Sequence, residues 1–328
     1  MIMKTPQLPA PALATALGVP EIYLKREDQH HFWSHKGRSI PHMIDEYRRQ
    51  GVKHFVISSS GNAALAAVLA IQTHNQNSGK EPLSLSVFVG QKITDEKLRT
   101  LKAVIEDPLV SLSQVERPKQ MAMQMEKKGT AKHLRQSTDD LALEGYRELA
   151  MELDHIPNLA AIFIPTSSGT TAQALGMYFK ELAHRPQIHI VQTTSCHPIA
   201  DACGTNILVA AKRLPPPARL AGAPAKRAGE GWGEGQGEGQ GVVEKSIASA
   251  IVDKVAHRKN AVVNMVQETG GSGWIVTDEE IQSAIKLMEE TKHLLISPNS
   301  ALSVAGLAKA IQNGWKWTGA VVCVITGK

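Results

Sequence analysis

The 328-residue chain is predicted to be an α/β protein. Short apolar runs that are typical of buried strands alternate with longer segments of helical pattern through most of the sequence. HFVIS at 54–58 precedes the alanine-rich GNAALAAVLAIQTH at 61–74, and AAIFIPT at 160–166 precedes TTAQALGMYFKELA at 170–183. Strands that alternate with helices of this length indicate βαβ units, and therefore a parallel sheet covered on both faces.

The other elements continue this alternation. Further strands are expected at 83–89, 109–115, 132–137, 187–194 and 320–326, and further helices at 94–105, 119–129, 141–153, 243–259, 277–290 and 301–314, with a short one near PIADAC. Two of the helix starts carry capping signals. Thr94 is a candidate N-cap, and Thr277 with Glu280 has the spacing of a capping box.

The composition is that of a globular protein, with 42% apolar and 20% charged residues. The net charge of +5 is spread along the chain, so a nucleic-acid partner is not expected. Three sparse cysteines suit a reducing compartment, which predicts a cytoplasmic protein. Four prolines interrupt the first 25 residues, and no apolar run reaches about eighteen residues, so neither a secretory signal nor a membrane span is expected.

One segment departs from the alternation. GEGWGEGQGEGQG at 229–241 has glycine at every second position and follows a stretch rich in Pro, Ala and Arg. Such a composition buries too little apolar surface to offset its chain entropy. We therefore predict a flexible Gly/Pro-rich insertion over 213–243, with an active-site lid as the alternative.

Two strand-to-helix junctions have unusual turn chemistry. SSGN at 59–62 and TSSGTT at 166–171 place small hydroxyl residues and a glycine where a parallel strand ends. Ligands of α/β sheets bind at that end, and the N–H groups of a helix N-terminus attract anions, above all phosphate. The alternative is that these Ser, Thr and Asn residues simply cap their helices.

Lys36 lies in HHFWSHKGRSIPH at 30–42, which is expected to be a loop leading into a helix. The chain has no P-loop lysine, no G-x-S-x-G and no H-E-x-x-H, and no residue spacing suggests a metal site. A lysine that is held near a carbonyl and partly desolvated acts as a Schiff-base nucleophile. The phosphate-bearing aldehyde that combines both requirements is pyridoxal phosphate. The alternative is that Lys36 is only a surface charge.

The order of five motifs resembles a known group of enzymes. LKRED at 24–28, SHKGR at 34–38, the two junctions and VITGK at 324–328 are similar to the pyridoxal-phosphate enzymes of fold type II, the tryptophan-synthase-β superfamily. That superfamily includes threonine synthase, threonine and serine dehydratases and cysteine synthase. The resemblance covers nearly the whole chain apart from 213–243.

The resemblance implies an architecture of two three-layer αβα domains with mainly parallel sheets. Residues 1–39 and 146–328 would form a large cofactor-binding domain, and residues 40–145 a small mobile domain that closes over the site. It also implies a homodimer.

The resemblance assigns roles by position. Lys36 corresponds to the lysine that binds pyridoxal 5′-phosphate as a Schiff base and later exchanges the proton at Cα, and Thr326 to the hydroxyl residue that faces the pyridine nitrogen. Asn62 corresponds to the asparagine that contacts the 3′-oxygen of the cofactor. The expected substrate-carboxylate loop is Ser59, Ser60, Gly61 and Asn62. The expected phosphate loop is Ser167, Ser168, Gly169, Thr170 and Thr171.

The reaction implied is elimination or replacement on a small amino acid. The first expectation is a threonine-synthase-like conversion of O-phosphohomoserine to threonine. The alternatives are a β-elimination like that of threonine and serine dehydratases, and a non-catalytic relative that binds a ligand. SHKGR departs from the SFK-x-R of threonine synthases and dehydratases, and its His-Lys pair is similar to that of tryptophan synthase β.

Overall fold

The computed structural model describes residues 4–77, 79, 81–204 and 245–327, and over these residues it confirms the predicted α/β class. The predicted insertion at 213–243 lies outside the described residues. The strands are β1 Gln7–Pro9, β2 Glu21–Arg26, β3 His54–Ser58, β4 Ser84–Gly90, β5 Val110–Val115, β6 Lys132–His133, β7 Leu159–Pro165, β8 Gln187–Thr193, β9 Gly273–Val276 and β10 Ala320–Ile325. The first helices are α1 Pro11–Leu17, α2 Lys36–Arg49, α3 Asn62–Asn75, α4 Asp95–Val104, α5 Pro118–Lys127 and α6 Leu141–Glu144. The others are α7 Arg147–Asp154, α8 Thr170–Lys180, α9 Pro198–Cys203, α10 Lys259–Glu268, α11 Asp278–Lys292 and α12 Pro298–Gln312.

The larger sheet has six strands in the order β1-β2-β10-β7-β8-β9. All neighbours are parallel except β1 and β2. Because β10 lies between β2 and β7, both ends of the described chain contribute to this sheet. Along β10, Val321, Cys323 and Ile325 pack into one apolar core while Val322 and Val324 pack into another. Helices therefore cover both faces, which gives three layers.

The smaller sheet has four parallel strands in the order β5-β4-β3-β6. One face packs on α2 and α3 through Phe55, Ile57 and their neighbours in a separate core. On the other face Val56 packs on Ala122 of α5. The two sheets thus have distinct cores. No helix within the described ranges combines the length and apolarity that crossing a membrane requires.

The prediction of a helix over 243–259 is wrong for residues 245–258. Residues 245–258 contain no helix, and α10 begins only at Lys259. Side chains of other elements take up the backbone donors that a helix would use: Asn299 accepts from the N–H of Ala250, and Ser167 accepts from those of Val252 and Asp253.

Two other segments depart from the prediction at a helix break or a helix start. The helix predicted over 141–153 is divided into α6 and α7 around Gly145. A Cβ at Gly145 would stand 2.7 Å from the carbonyl oxygen of Arg38. The absence of a side chain at Gly145 therefore allows close packing against α2. The segment 30–42 is predicted to be a loop leading into a helix, and that helix, α2, begins at Lys36 itself.

Candidate active site

All the predicted site residues line one cavity of about 970 Å³. It lies where β3, β7 and β10 end, so the carboxyl ends of strands from both sheets meet there. The sequence placed the two junctions and Thr326 at strand ends and Lys36 in a loop, but it could not show that the two sheets present these residues to each other. A volume of this size is at the upper end of the range for small-molecule sites.

Lys36 is the first residue of α2, is half-buried and lines the cavity. Its backbone N–H donates to Ser34 Oγ at 3.3 Å, whereas Nζ forms no hydrogen bond or ion pair with any described residue. The turn before it is tight, because Trp33 has a φ of 65° and a Cβ on Gly37 would overlap the ring of His30. The amine therefore lies at the cavity wall with no hydrogen-bond or ion-pair partner among the described residues.

Arg38, two residues beyond Lys36, fixes the start of α2 to the protein interior. Its guanidinium donates to Glu27 at 2.9 and 3.0 Å and to Glu152 at 2.6 and 3.0 Å. Lys25 completes the group by pairing with Glu152. All four side chains are buried, and together they carry no net charge. The LKRED and SHKGR motifs are thus joined by one buried network.

The SSGN junction connects β3 to α3. The N-cap of α3 is Gly61, and no side chain of the described residues caps the helix. Ser59 Oγ instead accepts from the N–H of Gly61 at 3.3 Å. The alternative reading, that these residues serve as helix caps, is therefore wrong at this junction. The first N–H groups of α3 are left open toward the cavity.

The TSSGTT junction connects β7 to α8 in the same way. Gly169 is the N-cap, with a φ of 89°, and within the described part of the chain no side chain caps this helix either. A Cβ at Gly169 would stand 2.7 Å from Cγ2 of Val262, so the position requires glycine both for its φ and for its packing. A second helix N-terminus therefore opens into the cavity with its N–H groups available to an anion.

The hydroxyl groups of this loop differ in what they can donate. Thr170 donates its proton to the carbonyl of Gln136 at 3.2 Å, so Ser168, 3.0 Å from Thr170 Oγ1, is the donor to Thr170. Neither proton is then free for a ligand. Ser167 accepts two backbone N–H groups and keeps its own proton, and Thr171 makes no side-chain hydrogen bond to the described residues. Ser167 and Thr171 are therefore the hydroxyl donors available to a phosphate.

Thr326 follows β10, is 4% exposed and lines the cavity. Its carbonyl accepts from the backbone N–H of His35 at 2.9 Å and contacts Nδ1 of the same histidine at 2.8 Å. Gly327 is held by Ser297 and Ser300, whose hydroxyls donate to its carbonyl at 2.8 and 2.7 Å. The chain beyond β10 is thus held against the turn that carries Lys36.

Several residues of the cavity were not predicted. The residues after β6 include Arg135 and Gln136, and a further part of the cavity wall is formed by residues 249–253 and by the start of α12. His133 is buried, and desolvation lowers its pKa to about 4. The strand predicted over 132–137 ends at His133, and the strand-end rule applied to this shorter parallel strand points to 134–136. No sequence signal indicated 249–253, which had been predicted as helix.

Comparison with known proteins identifies the family. The model of the family described as pyridoxal-phosphate dependent enzyme matches residues 1–327. The chain belongs to this family. The predicted cofactor, pyridoxal phosphate, is thereby confirmed.

The family members most similar in sequence include threonine synthases. That of Methanocaldococcus jannaschii is 24% identical over 342 residues, which is 96% of this chain and 72% of that protein. That of Mycobacterium leprae is 39% identical over 84 residues, which is 25% of this chain and 23% of that protein.

The solved structures support fold type II. The processed threonine deaminase isoform 2 of Solanum lycopersicum superposes with a TM-score of 0.72 at 20% identity, covering 99% of this chain and 79% of that one. Maize serine racemase gives 0.72 at 15% identity, covering 99% and 88%. At these identities the likeness shows the fold, and the predicted fold type II architecture is confirmed.

The donor set of the cavity fits pyridoxal phosphate. A dianionic phosphate requires N–H and O–H donors, which the start of α8 supplies together with Ser167 and Thr171. An aldehyde requires an amine without a partner, and Lys36 Nζ has none among the described residues. Within the described ranges, no group of three or more His, Cys, Asp or Glu side chains could hold a metal ion.

Proposed function

We propose that this enzyme converts O-phosphohomoserine and water to threonine and inorganic phosphate, as a threonine synthase does. The observation that carries the proposal is the convergence of Lys36, Thr326 and two glycine-capped helix N-termini on one cavity. A long alignment with a threonine synthase supports the choice of reaction.

Two further cations of the cavity support a substrate that carries a phosphate of its own, in addition to the phosphate of the cofactor. Lys97 Nζ donates to Ser249 Oγ at 2.9 Å, and Arg135 Nη2 lies 2.8 Å from Nε2 of His257. Among the described residues neither cation pairs with a carboxylate, although Glu96 and Asp253 line the same cavity. A phosphate on the substrate side chain would give Lys97 and Arg135 the counter-charge that they lack.

The proposed binding mode follows from the two junctions. The start of α8, with Ser167 and Thr171, would bind the cofactor phosphate. The SSGN loop would bind the substrate carboxylate through its N–H groups, and Asn62 would contact the 3′-oxygen of the cofactor. These contacts would hold the scissile bonds at Cα and beyond in one orientation, which is a large part of catalysis by binding.

The proposed chemistry is proton transfer by Lys36. The bound cofactor withdraws electrons from the substrate Cα and stabilises the negative charge that develops there. Lys36 Nζ would hold the cofactor aldehyde covalently until the substrate amine displaces it. The free amine of Lys36 would then remove protons from the nearby carbon atoms of the substrate and return them. Thr326 would face the ring nitrogen with a hydroxyl that cannot keep it protonated, which favours elimination and replacement over transamination.

A second candidate is elimination of the hydroxyl group from threonine or serine. A Solanum lycopersicum threonine dehydratase aligns at 24% identity over 57% of this chain and 30% of that protein. This reaction needs the same Lys36 and SSGN loop but no receptor for a second phosphate. Lys97 and Arg135 therefore separate the two candidates.

We further propose that residues 40–145 move as a small domain that closes over the site and excludes bulk water, leaving in the site the water molecule that the reaction consumes. The separate core of the four-stranded sheet supports this division. We also propose a cytoplasmic homodimer. The three cysteines are all buried and free, which suits a reducing compartment. Hydrogen exchange with and without substrate tests the closure, and light scattering tests the dimer.

The decisive experiment is a substrate panel on the cofactor-loaded enzyme. Release of inorganic phosphate with formation of threonine from O-phosphohomoserine is expected. Arg135→Met and Lys97→Met should raise KM for that substrate by roughly tenfold or more, since each removes a charge-assisted hydrogen bond. Lys286→Met is the matched control, because Lys286 pairs with Glu290 on an exposed helix face outside the cavity.

The outcomes separate the candidates. Release of 2-oxobutyrate from threonine, unaffected by Arg135→Met, would favour the dehydratase reaction. Racemisation of serine, with no phosphate released from O-phosphohomoserine and no ammonia released from threonine or serine, would contradict both candidates. Lys36→Ala should abolish every one of these activities.

A further inference from the structure

His35, the residue before Lys36, is bound twice to the same carbonyl group. Its backbone N–H lies 2.9 Å from the oxygen of Thr326, and its ring nitrogen Nδ1 lies 2.8 Å from that oxygen. A carbonyl oxygen only accepts hydrogen bonds. Nδ1 must therefore carry a proton and donate it, so the neutral ring is the Nδ1–H tautomer.

The two residues joined by this contact both belong to the cavity. His35 directly precedes Lys36, and Thr326 directly follows β10. The adjacent residues pair as well, since Ser34 and Gly327 form an antiparallel bridge. The turn before Lys36 and the chain after β10 are thus paired by short antiparallel backbone contacts. The imidazole of His35 adds a side-chain hydrogen bond to this pairing.

The ring of His35 is suited to this role because it stays uncharged. Burial first, and then the positive charge of Lys36, lower the pKa of His35 to about 3, although the hydrogen bond to Thr326 acts in the opposite direction. The ring also stacks on Tyr146, with 6.1 Å between the centroids and 25° between the planes. Tyr146 is fully buried, so the orientation of the imidazole is fixed from the side of α7.

We propose that His35 is a positioning residue that holds Lys36 and Thr326 at a fixed separation through the Nδ1–H donor. The inference rests on the proposed function, in which Lys36 holds the cofactor and Thr326 faces its ring nitrogen. Arg38 attaches α2 to the buried network with Glu27 and Glu152, whereas His35 attaches the turn that carries Lys36 to Thr326. The histidine that distinguishes SHKGR from SFK-x-R thereby acquires a role that phenylalanine cannot fill, because phenylalanine has no donor.

Two substitutions test the hydrogen bond separately from the volume of the ring. His35→Phe keeps an aromatic ring but removes the donor, and His35→Asn places an amide N–H at the same number of bonds from Cα as Nδ1. His35→Phe should bind the cofactor with an altered circular-dichroism band and lose roughly 10- to 100-fold in kcat, with KM changed by less than about threefold. His35→Asn should restore the band and most of kcat.

A measurement on the unmodified protein serves if His35→Phe does not fold. The cofactor-loaded enzyme, labelled with ¹⁵N-histidine, should show one neutral Nδ1–H imidazole that does not titrate near neutral pH and is missing from His35→Asn. An Nε2–H tautomer for His35 would overturn the proposal. Wild-type kcat and circular dichroism in His35→Phe, or equal losses in His35→Phe and His35→Asn, would overturn it too. A cofactor that stays covalently bound in Lys36→Ala would instead refute the lysine assignment of the proposed function.

Discussion

The side chain of Asn62 occupies the space next to the Cα of Gly327. A Cβ on Gly327 would overlap Nδ2 of Asn62 and would stand 2.9 Å from Cβ of Ser34. The last described residue of the chain is therefore in contact with the first residue of α3, in the other sheet's half of the site. Gly327 leaves room for the amide that is proposed to contact the cofactor.

Gly327→Ala should displace Asn62 and impair the site with little loss of stability. An amide side chain can move away, so the free energy of unfolding should fall by only about 1 kcal/mol. Cofactor affinity or kcat should fall by roughly tenfold, because a contact is misplaced. In an Asn62→Ala background, Gly327→Ala should reduce cofactor affinity and kcat much less, because only the contact with Cβ of Ser34 remains. Equal effects of Gly327→Ala in both backgrounds would show that Asn62 does not mediate them.

Thr171→Val should weaken cofactor binding far more than Ser168→Ala does. The Thr171 hydroxyl has no partner among the described residues, whereas the Ser168 proton is donated to Thr170. A lost hydrogen bond to a charged phosphate costs about 1.5–3 kcal/mol, which is roughly 10- to 100-fold in the dissociation constant. Equilibrium dialysis with pyridoxal phosphate measures both variants. The reverse order of losses would mean that Ser168 is the phosphate donor.

Arg38→Met should destabilise the protein by about 3–5 kcal/mol, because it leaves Glu27 and Glu152 buried without their main partner. Arg48→Met is the matched control on the same helix. Arg48 pairs with Asp45 at the surface, and its loss should cost less than about 1 kcal/mol. Denaturant unfolding measures both. Similar losses in the two variants would show that the buried network contributes no more than a surface pair.

The same network predicts a loss of stability in acid. Burial alone would raise the pKa of Glu152, but hydrogen bonds from Arg38 and Lys25 outweigh it and hold the pKa below its usual value of 4.5. A lowered pKa in the folded state contributes stability that is present above pH 4.5 and is lost as the pH falls through the folded value. Glu152→Gln should flatten the unfolding free energy over that range. An unchanged acid slope in the variant would contradict the assignment.

Most of the fold follows from local patterns in the sequence. The run at 54–58 is β3 with the predicted bounds, and the capping box of Thr277 and Glu280 is present at α11. These signals depend on residues close in sequence. The helix prediction for 245–258 was wrong because the conformation of this segment is set by partners distant in the sequence, among them Asn299 and Ser167. Apolar spacing cannot reveal such partners.

The sequence indicates candidate site residues one by one, but it does not show how they are arranged. Lys36 and the two junctions carry recognisable turn chemistry. The contact of Asn62 with Gly327 joins residues far apart in the chain, and so does the contact of His35 with Thr326. The proton of Thr170 goes to a backbone carbonyl that only the tertiary structure supplies. Which hydroxyl can donate to phosphate is therefore a property of the fold.

The most direct test of the account is to locate the covalent attachment of the cofactor. The loaded enzyme would be reduced with borohydride, which fixes a lysine-bound aldehyde as a stable amine, then digested and analysed by mass spectrometry. The account predicts that the modified peptide carries the cofactor on Lys36, and that Lys36→Ala yields no modified peptide. Modification of another cavity lysine, such as Lys97, with Lys36 unmodified would contradict it.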